Sequence, residues 1–250
     1  MSSSTARSEE LKANLADVRG RIAAACEQAG RSAGEVTLIA ITKTFPVSDI
    51  RLLAELGVLD IGENRDQEAA PKAAECAGFE PPLRWHFVGQ LQANKAKSVA
   101  RYADVIHSVD RSRLVHALGA RARAAGRTVT CLVQVDLDEA AAASPENGEP
   151  GAVVQRGGAA PNEVPALAEA IAGEEGLTLG GVMAVAPLGA PPRPAFSRLA
   201  GVAAIVRKAH PGATMISAGM TGDLEEAIAE GATHVRVGTA LLGGRAALVR

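Results

Sequence analysis

Residues 36–62, VTLIAITKTFPVSDIRLLAELGVLDIG, contain one complete strand–helix–strand unit and decide the fold. The apolar run Val36–Thr42 has the length of a buried strand, and a second such run covers Leu59–Gly62. Between them, Ser48–Leu56 carries apolar residues at helical spacing and stops at Gly57. A strand, a helix and a second strand in this order predict parallel strands joined by a crossover helix.

The same unit repeats to the end of the chain. Six further strands are predicted at Trp85–Gly89, Val105–Val109, Val129–Leu137, Leu177–Val185, Thr214–Ala218 and Val235–Thr239. Helical patterns alternate with them at Asp66–Cys76, Asn94–Tyr102, Arg111–Ala125, Asn162–Ala172, Arg198–His210 and Asp223–Glu230, and an extra helix precedes them at Ser8–Ala29. Ser48, Asn94, Asn162 and Asp223 are the predicted N-caps. Eight strands in roughly 200 residues favour an α/β fold closed into a single (β/α)8 TIM barrel over an open doubly wound sheet.

The composition favours one domain with a large core and argues against several classes of partner. The 250 residues are 47% hydrophobic but only 2% aromatic, which predicts the aliphatic core of a buried parallel sheet. A net charge of −2 gives no general attraction to nucleic acid or anionic lipid. No stretch approaches the ~20 apolar residues of a membrane span, and the three cysteines lack metal-ligand spacing. We therefore expect one domain over residues 1–250 that is cytoplasmic and holds no metal.

One segment interrupts the alternation of strands and helices. Residues 139–161 are rich in Ala, Gly, Pro and Glu and show neither a helical nor a strand period. This pattern predicts a long loop after the fifth strand. Its sequence is equally compatible with a lid over a site and with an insertion of no functional role.

Chemically informative residues stand where the apolar runs end, because the carboxyl ends of barrel strands meet on one face. The first run ends in Thr42-Lys43-Thr44, which places an amine beside apolar neighbours. Partial loss of water favours the neutral amine, the form that attacks an aldehyde. A lysine that only extends its amine into water is the alternative explanation. Asn64 and His86 end or occupy the next two runs, although a histidine between apolar residues is also common in a hydrogen-bonded core.

The last two strand ends have the character of an anion site. The seventh run ends in Ser217-Ala218-Gly219, and the eighth passes into Gly238-Thr239. In such barrels a phosphate is frequently held by backbone N–H groups after strands seven and eight, where small residues allow close approach. Each glycine alone is explained equally well by turn chemistry. As two loops in these positions, they predict a phosphate site.

Arg236 lies two positions before Gly238, so both share one face of the eighth strand and the guanidinium is expected to point into the barrel mouth. A guanidinium keeps its proton there and can only donate hydrogen bonds. Facing a pyridine nitrogen, Arg236 would keep that nitrogen unprotonated and make the ring a weak electron sink.

Seven groups of residues, in order along the chain, resemble the YggS/PROSC family of pyridoxal 5′-phosphate (PLP) homeostasis proteins. They are Ile41–Thr44, Gly62–Asn64, Trp85–Gly89 with Leu91–Lys95, Ile106–Asp110, Gly181–Ala184, Ser217–Asp223 and Val235–Thr239. No single motif is decisive, but their order along the chain carries the resemblance, which runs from the first helix to the last strand. It implies a fold type III PLP protein, with a barrel like the N-terminal domain of alanine racemase standing alone.

The resemblance also implies residue roles and a function. Lys43 would form the Schiff base with PLP, and Arg236 would face the pyridine nitrogen. Implied phosphate contacts are Ser217, Gly238 and Thr239, with Gly219 in the same loops, and implied ring-pocket residues are Asn64, His86 and Met183. The family buffers or delivers PLP without an established reaction, so the implied protein is a carrier rather than an enzyme, with PLP-dependent apo-enzymes as candidate recipients.

The sequence departs from the family pattern in two places. A short Lys-x-Gly segment usually follows the fifth strand, and the nearest counterpart here is Gln155-Arg156-Gly157. A second PLP contact by that lysine is therefore in doubt. The loop after the seventh strand reads Ser-Ala-Gly-Met-Thr-Gly-Asp, where the family more often has Ser-Met-Gly-Met-Ser-x-Asp, a change that keeps the hydroxyl groups.

Two enzymatic alternatives remain for a strand-end lysine beside a phosphate site. An amino-acid racemase needs a second base on the opposite face of its substrate. We expect no second domain to supply that base. The only tyrosine, Tyr102, is predicted at the end of a surface helix. The second alternative is a Schiff-base aldolase without a cofactor. Aldolases of this kind carry their lysine on a later strand, whereas Lys43 follows the first strand, which argues against this alternative. The missing racemase interface also predicts a monomer.

Overall fold

A computed structural model describes residues 3–138 and 157–244, and its centre is a closed barrel of eight parallel strands. The strands are β1 Thr37–Ile41, β2 Asp60–Glu63, β3 Arg84–Phe87, β4 Val105–Val109, β5 Val129–Gln134, β6 Leu177–Met183, β7 Met215–Ser217 and β8 His234–Val237. They neighbour one another in chain order, and β1 closes the ring by pairing with β8 from Thr37 opposite His234. All eight predicted strands are confirmed, and this pairing confirms the barrel over the open sheet.

Helices surround the barrel and connect successive strands. They are α1 Ser3–Gln28, α2 Val47–Glu55, α3 Asp66–Glu75, α4 Ala96–Tyr102, α5 Ser112–Ala124, α6 Val164–Gly173, α7 Pro192–Ala209, α8 Leu224–Ala229 and α9 Thr239–Leu242. Every predicted helix is present, but α7 begins at Pro192 rather than Arg198. Proline in the first turn lacks only an N–H that has no helical partner anyway, so the proline-rich stretch opens the helix instead of preceding it.

The predicted helix caps were mostly wrong. Asp223 does occupy the N-cap of α8, but its carboxylate accepts from the N–H of Met220 instead of capping the helix. Ser48 lies inside α2, and Asn94 and Asn162 precede the caps of α4 and α6. The position at which a chain leaves a barrel loop decides where its helix begins, and local cap preference does not report that position.

The extra N-terminal helix covers the outside of the barrel. Leu11, Leu15 and Val18 of α1 are buried in one cluster with Ile228 of α8 and Leu241 of α9. These contacts tie α1 to the last two helices, which follow the predicted phosphate loops.

Part of the predicted loop after β5 can be placed. Residues 139–156 lie outside the described residues, and they include Gln155 and Arg156 of the segment that departs from the family pattern. Beyond them, Ala159 pairs with Val135, and the Gln134 side chain donates to the carbonyl of Gly157. The returning chain thus lies against the carboxyl end of β5. Among the helices described, none has the length and apolar character needed to cross a bilayer.

Candidate functional site at the carboxyl end of the barrel

Lys43 lies in the turn that leaves β1. The turn is closed by the N–H of Phe45 donating to the carbonyl of Thr42 over 3.0 Å. Thr44 has a φ of 70°, a left-handed conformation that is an outlier for a β-branched residue. Strain of this kind persists only where surrounding contacts impose it, and it clusters at functional sites. The conformation of the lysine-bearing turn is therefore held from outside.

A charged clamp, formed by Glu63 of β2 with Glu68 and Lys72 of α3, holds this turn. The Thr42 hydroxyl donates to Glu63 Oε1 over 2.7 Å, and Lys72 Nζ donates to the Thr42 carbonyl over 2.9 Å and to the same Glu63 oxygen over 2.6 Å. Glu68 accepts from the N–H of Thr44 over 2.9 Å. Burial raises the pKa of Glu63, and the hydrogen bonds from Lys72 and Thr42 oppose that shift. The clamp fixes both residues that flank Lys43.

Asn64 directly follows β2 and lies against the loop that leaves β3. A Cβ on Gly89 would lie 2.0 Å from the Asn64 carbonyl oxygen, so only glycine allows the two loops to approach this closely. The side-chain Oδ1 of Asn64 is buried and has no hydrogen-bond partner among residues 3–138 and 157–244. A buried acceptor without a partner is unfavourable unless a bound group supplies the donor.

The barrel interior contains an unbroken chain of hydrogen-bonded side chains, which we call the buried relay: Asp60, His86, His107, Ser217 and Arg236. Asp60 Oδ1 lies 2.9 Å from Nε2 of His86, whose Nδ1 lies 2.9 Å from Nε2 of His107. Nδ1 of His107 lies 2.9 Å from the Ser217 hydroxyl, to which Arg236 donates over 2.7 Å. The relay joins strands β2, β3, β4, β7 and β8, and it connects predicted site residues to each other through the centre of the molecule.

Arg236 points into the barrel, as predicted from its spacing to Gly238. Besides the Ser217 hydroxyl, its guanidinium donates to the carbonyls of Ser217 and Ala184 over 2.8 and 2.9 Å. Burial lowers the pKa of Arg236 to about 10, which still leaves the group protonated at neutral pH. The arginine is therefore a fixed buried cation.

The two histidines of the relay differ in their surroundings. Burial lowers the pKa of His107 well below its ordinary value, and the Arg236 cation, together with any proton taken up by His86 or His234, acts in the same direction, so His107 is neutral. Burial acts to raise the pKa of Asp60, but the hydrogen bond from His86 and nearby positive charge hold it below its ordinary value. The relay thus runs from a cation at Arg236 to a carboxylate at Asp60.

The two predicted phosphate loops meet at the carboxyl end of β7 and β8. Gly219 has a φ of 88°, and a Cβ there would lie 2.7 Å from Cβ of Ala227, so the loop admits only glycine. Its carbonyl accepts from the N–H of Arg236 over 2.9 Å. Gly238 packs against Ile41 at the end of β1, and Thr239 begins α9, where the first N–H groups lack helical partners. Lys43 follows Ile41 by two residues, which brings the lysine turn and these loops to the same edge.

Met183 lies inside the barrel at the end of β6. It pairs in register with Ser217 and packs against Val105 and Leu132. Its side chain is thus on the inner face at the level of the relay.

Sequence reasoning missed the residues that support the site. Glu63, Lys72, Asp60 and His107 carry the clamp and the relay, yet none was assigned a role. A signal existed for some of them: Asp60 and His107 interrupt apolar strand runs, and Glu68 and Lys72 are spaced four apart on one helix. Their partners come from distant positions in the chain, which no local pattern reveals.

Comparisons with known proteins identify the family. The family described as "Alanine racemase, N-terminal domain" matches residues 14–246. The pyridoxal phosphate homeostasis protein of Mycobacterium tuberculosis (strain ATCC 25618 / H37Rv) is 43% identical, with 96% of this chain and 94% of the relative covered.

Two solved structures agree with this result. A protein of unknown function from Bifidobacterium adolescentis is 35% identical with a TM-score of 0.82, covering 96% of this chain and 97% of that one. PipY of Synechococcus elongatus PCC7942, solved with PLP bound, is 32% identical with a TM-score of 0.76, covering 93% of this chain and all of the other (100%). The chain belongs to the pyridoxal phosphate homeostasis protein family, built on the alanine racemase N-terminal domain.

Proposed function

We propose that this chain binds PLP as a Schiff base on Lys43 and serves PLP homeostasis by buffering or delivering the cofactor. The observation that carries the proposal is the lysine-bearing turn, held by the charged clamp at the barrel edge where the loops of Gly219 and Gly238 meet. PipY, a relative of nearly the same extent, has PLP bound in its solved structure.

The residues present fit this cofactor on their own chemistry. An amine, a fixed cation and two glycine-containing loops suit the aldehyde, the ring nitrogen and the phosphate, respectively. The buried Asn64 Oδ1 offers an acceptor that is otherwise without a partner among the described residues. In the proposed arrangement Ser217, Gly219, Gly238 and Thr239 hold the phosphate, Arg236 faces the pyridine nitrogen, and Asn64, His86 and Met183 line the ring pocket.

We further propose that the protein is a carrier rather than a turnover enzyme. When bound, PLP supplies an aldehyde for the Schiff base and a ring that accepts electrons. Arg236 stays protonated and only donates hydrogen bonds, so it would leave the ring nitrogen unprotonated and the ring a weak electron sink.

A racemase would also need a second base. The only tyrosine, Tyr102, lies at the end of α4 with its ring edge-on to Trp85, at 6.4 Å between centroids. Its hydroxyl is buried, and burial raises its pKa far above the ordinary value. This tyrosine packs in the helical layer and is a poor candidate for proton transfer at the barrel mouth.

The remaining parts of the proposal concern the cell. We propose a cytoplasmic monomer that passes PLP to PLP-dependent apo-enzymes. Light scattering of the PLP-loaded protein gives the assembly state directly, and a mass of two chains would overturn the monomer.

The decisive experiment replaces the proposed attachment residue. Lys43→Ala is expected to abolish the visible absorbance of the Schiff base and the mass adduct that borohydride reduction leaves on the peptide spanning residues 42–44. Lys95→Ala, which removes a partly buried lysine from a neighbouring loop, serves as the matched control and should retain both. An adduct that persists in folded Lys43→Ala protein would overturn the assignment.

The carrier and racemase functions are separated by a second measurement. L-Alanine incubated with the PLP-loaded protein should keep its optical purity. Loss of that purity at an enzymatic rate would establish the racemase instead.

A further inference from the structure

The direction of every hydrogen bond in the buried relay follows from the chemistry of its ends. A guanidinium has no acceptor, so Arg236 donates and the Ser217 hydroxyl oxygen accepts. The Ser217 proton then points to Nδ1 of His107, the other hydrogen-bond partner of that oxygen among residues 3–138 and 157–244. His107 must therefore carry its proton on Nε2 and donate to Nδ1 of His86, and His86 donates through Nε2 to Asp60.

In this one-way chain the Ser217 hydroxyl, the His107 ring and the His86 ring each carry one proton, so both histidines are neutral. The arrangement depends on the Ser217 hydroxyl having His107 as its acceptor. An anionic oxygen beside Ser217 is a stronger acceptor than a neutral ring nitrogen, because charge-assisted hydrogen bonds are about twice as strong. The proposed function places such an oxygen, that of a phosphate, at Ser217.

We propose that His107 and His86 are positioning residues of the cofactor site, and that a hydrogen bond from the Ser217 hydroxyl to the PLP phosphate reverses the hydrogen bonds of the relay, with uptake of one proton from solvent. This inference rests on the proposed function. After reversal, Nδ1 of His107 donates to the Ser217 oxygen, and Nε2 of His107 accepts from Nδ1 of His86. His86 then carries a proton on each nitrogen and faces the Asp60 carboxylate as an imidazolium. Without the added proton, His86 could satisfy only one of its two neighbours. If it kept its proton on Nε2, two nitrogen lone pairs would face each other across 2.9 Å, and if it moved that proton to Nδ1, the lone pair of Nε2 would face the Asp60 carboxylate across 2.9 Å.

The charges around the two rings decide which histidine holds the extra proton. His107 is fully buried between His86 and the Ser217 hydroxyl, and the Arg236 cation lies directly behind that hydroxyl. A second positive charge there would be strongly unfavourable. His107 therefore changes only the nitrogen that carries its proton.

His86 has the opposite surroundings. Its Nε2 contacts Asp60, which is 3.4 Å from the exposed Arg84. The ring of His234 lies 6.5 Å from that of His86, and burial lowers the pKa of His234 to about 4, so His234 is uncharged at neutral pH. The Asp60 carboxylate is thus the dominant charge at His86, and it stabilises the imidazolium.

Solvent reaches the relay at its Asp60 end. The Asp60 side chain is 20% exposed and lines a cavity of about 450 Å³, together with Arg19, Leu38 and Leu59. The cavity lies at the start of β1 and β2, whereas Lys43 follows the end of β1. Protons and cofactor therefore reach the relay from opposite ends of the barrel.

Calorimetry provides the first test. Proton uptake per bound ligand is obtained by titrating the full chain in buffers of different ionisation enthalpy, with PLP and with pyridoxal, which has the same aldehyde and ring but no phosphate. The excess uptake for PLP over pyridoxal should be larger in the wild type than in Ser217→Ala by about one proton, because alanine has no proton to redirect. Subtraction of the variant removes the ionisation of the phosphate itself. Equal excess uptake in both proteins would overturn the inference.

Nitrogen-15 NMR of the ring nitrogens in the wild-type protein provides a second test. The chain has only five histidines, so the spectrum is simple, and single His→Gln variants assign it. Before PLP is added, His86 and His107 should both be protonated on Nε2 alone. At saturation, His86 should be protonated on both nitrogens and His107 on Nδ1 alone. A His107 that keeps its Nε2 proton in saturated protein would overturn the inference.

Two further measurements distinguish failure of the relay inference from failure of the proposed function. If the phosphate itself takes the proton, the phosphorus-31 shift of bound PLP will be that of the monoanion, which would also overturn the inference. If borohydride reduction leaves no adduct on the peptide spanning residues 42–44, the proposed function fails; unchanged histidines in protein that does carry the adduct mean that only the relay inference fails.

Discussion

The barrel interior has two parts of opposite character. The buried relay fills one part with hydrogen-bonded and charged groups, whereas Val105, Leu132 and Met183 form an apolar cluster in the other. Barrel interiors are usually filled by layers of branched aliphatic residues, so the apolar cluster is the ordinary part. Buried polar groups are costly unless every one is paired.

The difference teaches where stability and ligand chemistry reside. β4 contributes Val105 to the apolar cluster and His107, two positions later, to the relay. β7 does the same with Met215 and Ser217. One strand thus supports packing at one level and chemistry at the next, toward its carboxyl end.

The largest effect is expected from opening the apolar cluster. Leu132→Ala should lower the free energy of unfolding by about 2–5 kcal/mol, because the fully buried site cannot collapse around the cavity. Urea denaturation measures the change. PLP attachment should persist in the folded variant. Leu188→Ala, at a side chain that is 87% exposed, is the control and should be nearly neutral. Loss of PLP attachment in folded Leu132→Ala protein would contradict the assignment of stability to the apolar cluster and of ligand chemistry to the relay.

A pH dependence of stability should come from His234, which lies beside the relay. Burial lowers its pKa to about 4 from 6.5, so the unfolded chain binds the proton more readily than the folded one. The contribution of neutral His234 to the free energy of unfolding is therefore fully present above pH 6.5. It is lost as the pH drops toward 4, which lowers the free energy of unfolding by up to about 3 kcal/mol. The measurement is the unfolding free energy across that range, where His234→Gln should give a flatter curve. An identical slope in the variant contradicts the expectation.

A smaller loss is expected from removing the centre of the relay. His107→Leu leaves His86 and Ser217 without their shared partner and should cost about 2 kcal/mol in unfolding free energy. It should also speed PLP release, because the Ser217 hydroxyl loses its hydrogen-bond partner at His107. The rate of PLP release is measured by the transfer of PLP to an excess of an apo-enzyme. His116→Leu alters an exposed histidine on α5 and should leave release unchanged; equal release from both variants would argue against the positioning role.

The smallest effect on stability should come from Met183, which belongs to the apolar cluster but is proposed to line the ring pocket. Met183→Leu conserves volume and should cost under about 1.5 kcal/mol. It should still accelerate PLP release, because a stiffer branched side chain follows a flat ring less closely than methionine does. Unchanged release would assign Met183 to packing alone.

Much of the fold was predictable because it depends on local periodicity. The apolar runs, the intervening helices and the α1 pattern report which face each element buries, and every one of them is present. The placement of Arg236 inside the barrel followed from its two-residue spacing to Gly238, since alternation along a strand is a local property. Helix caps and the start of α7 were misjudged because barrel loops set them.

The sequence by itself determined the number and type of elements, the strand ends that carry Lys43 and Arg236, and the family to which the chain belongs. Only the tertiary structure decided that Asp60, His86, His107, Ser217 and Arg236 touch in one line, and that Glu63 and Lys72 hold the lysine turn. The physical reason is closure of the barrel: it brings β8 beside β1 and directs side chains from five strands into one interior, so residues far apart in the chain become hydrogen-bond partners.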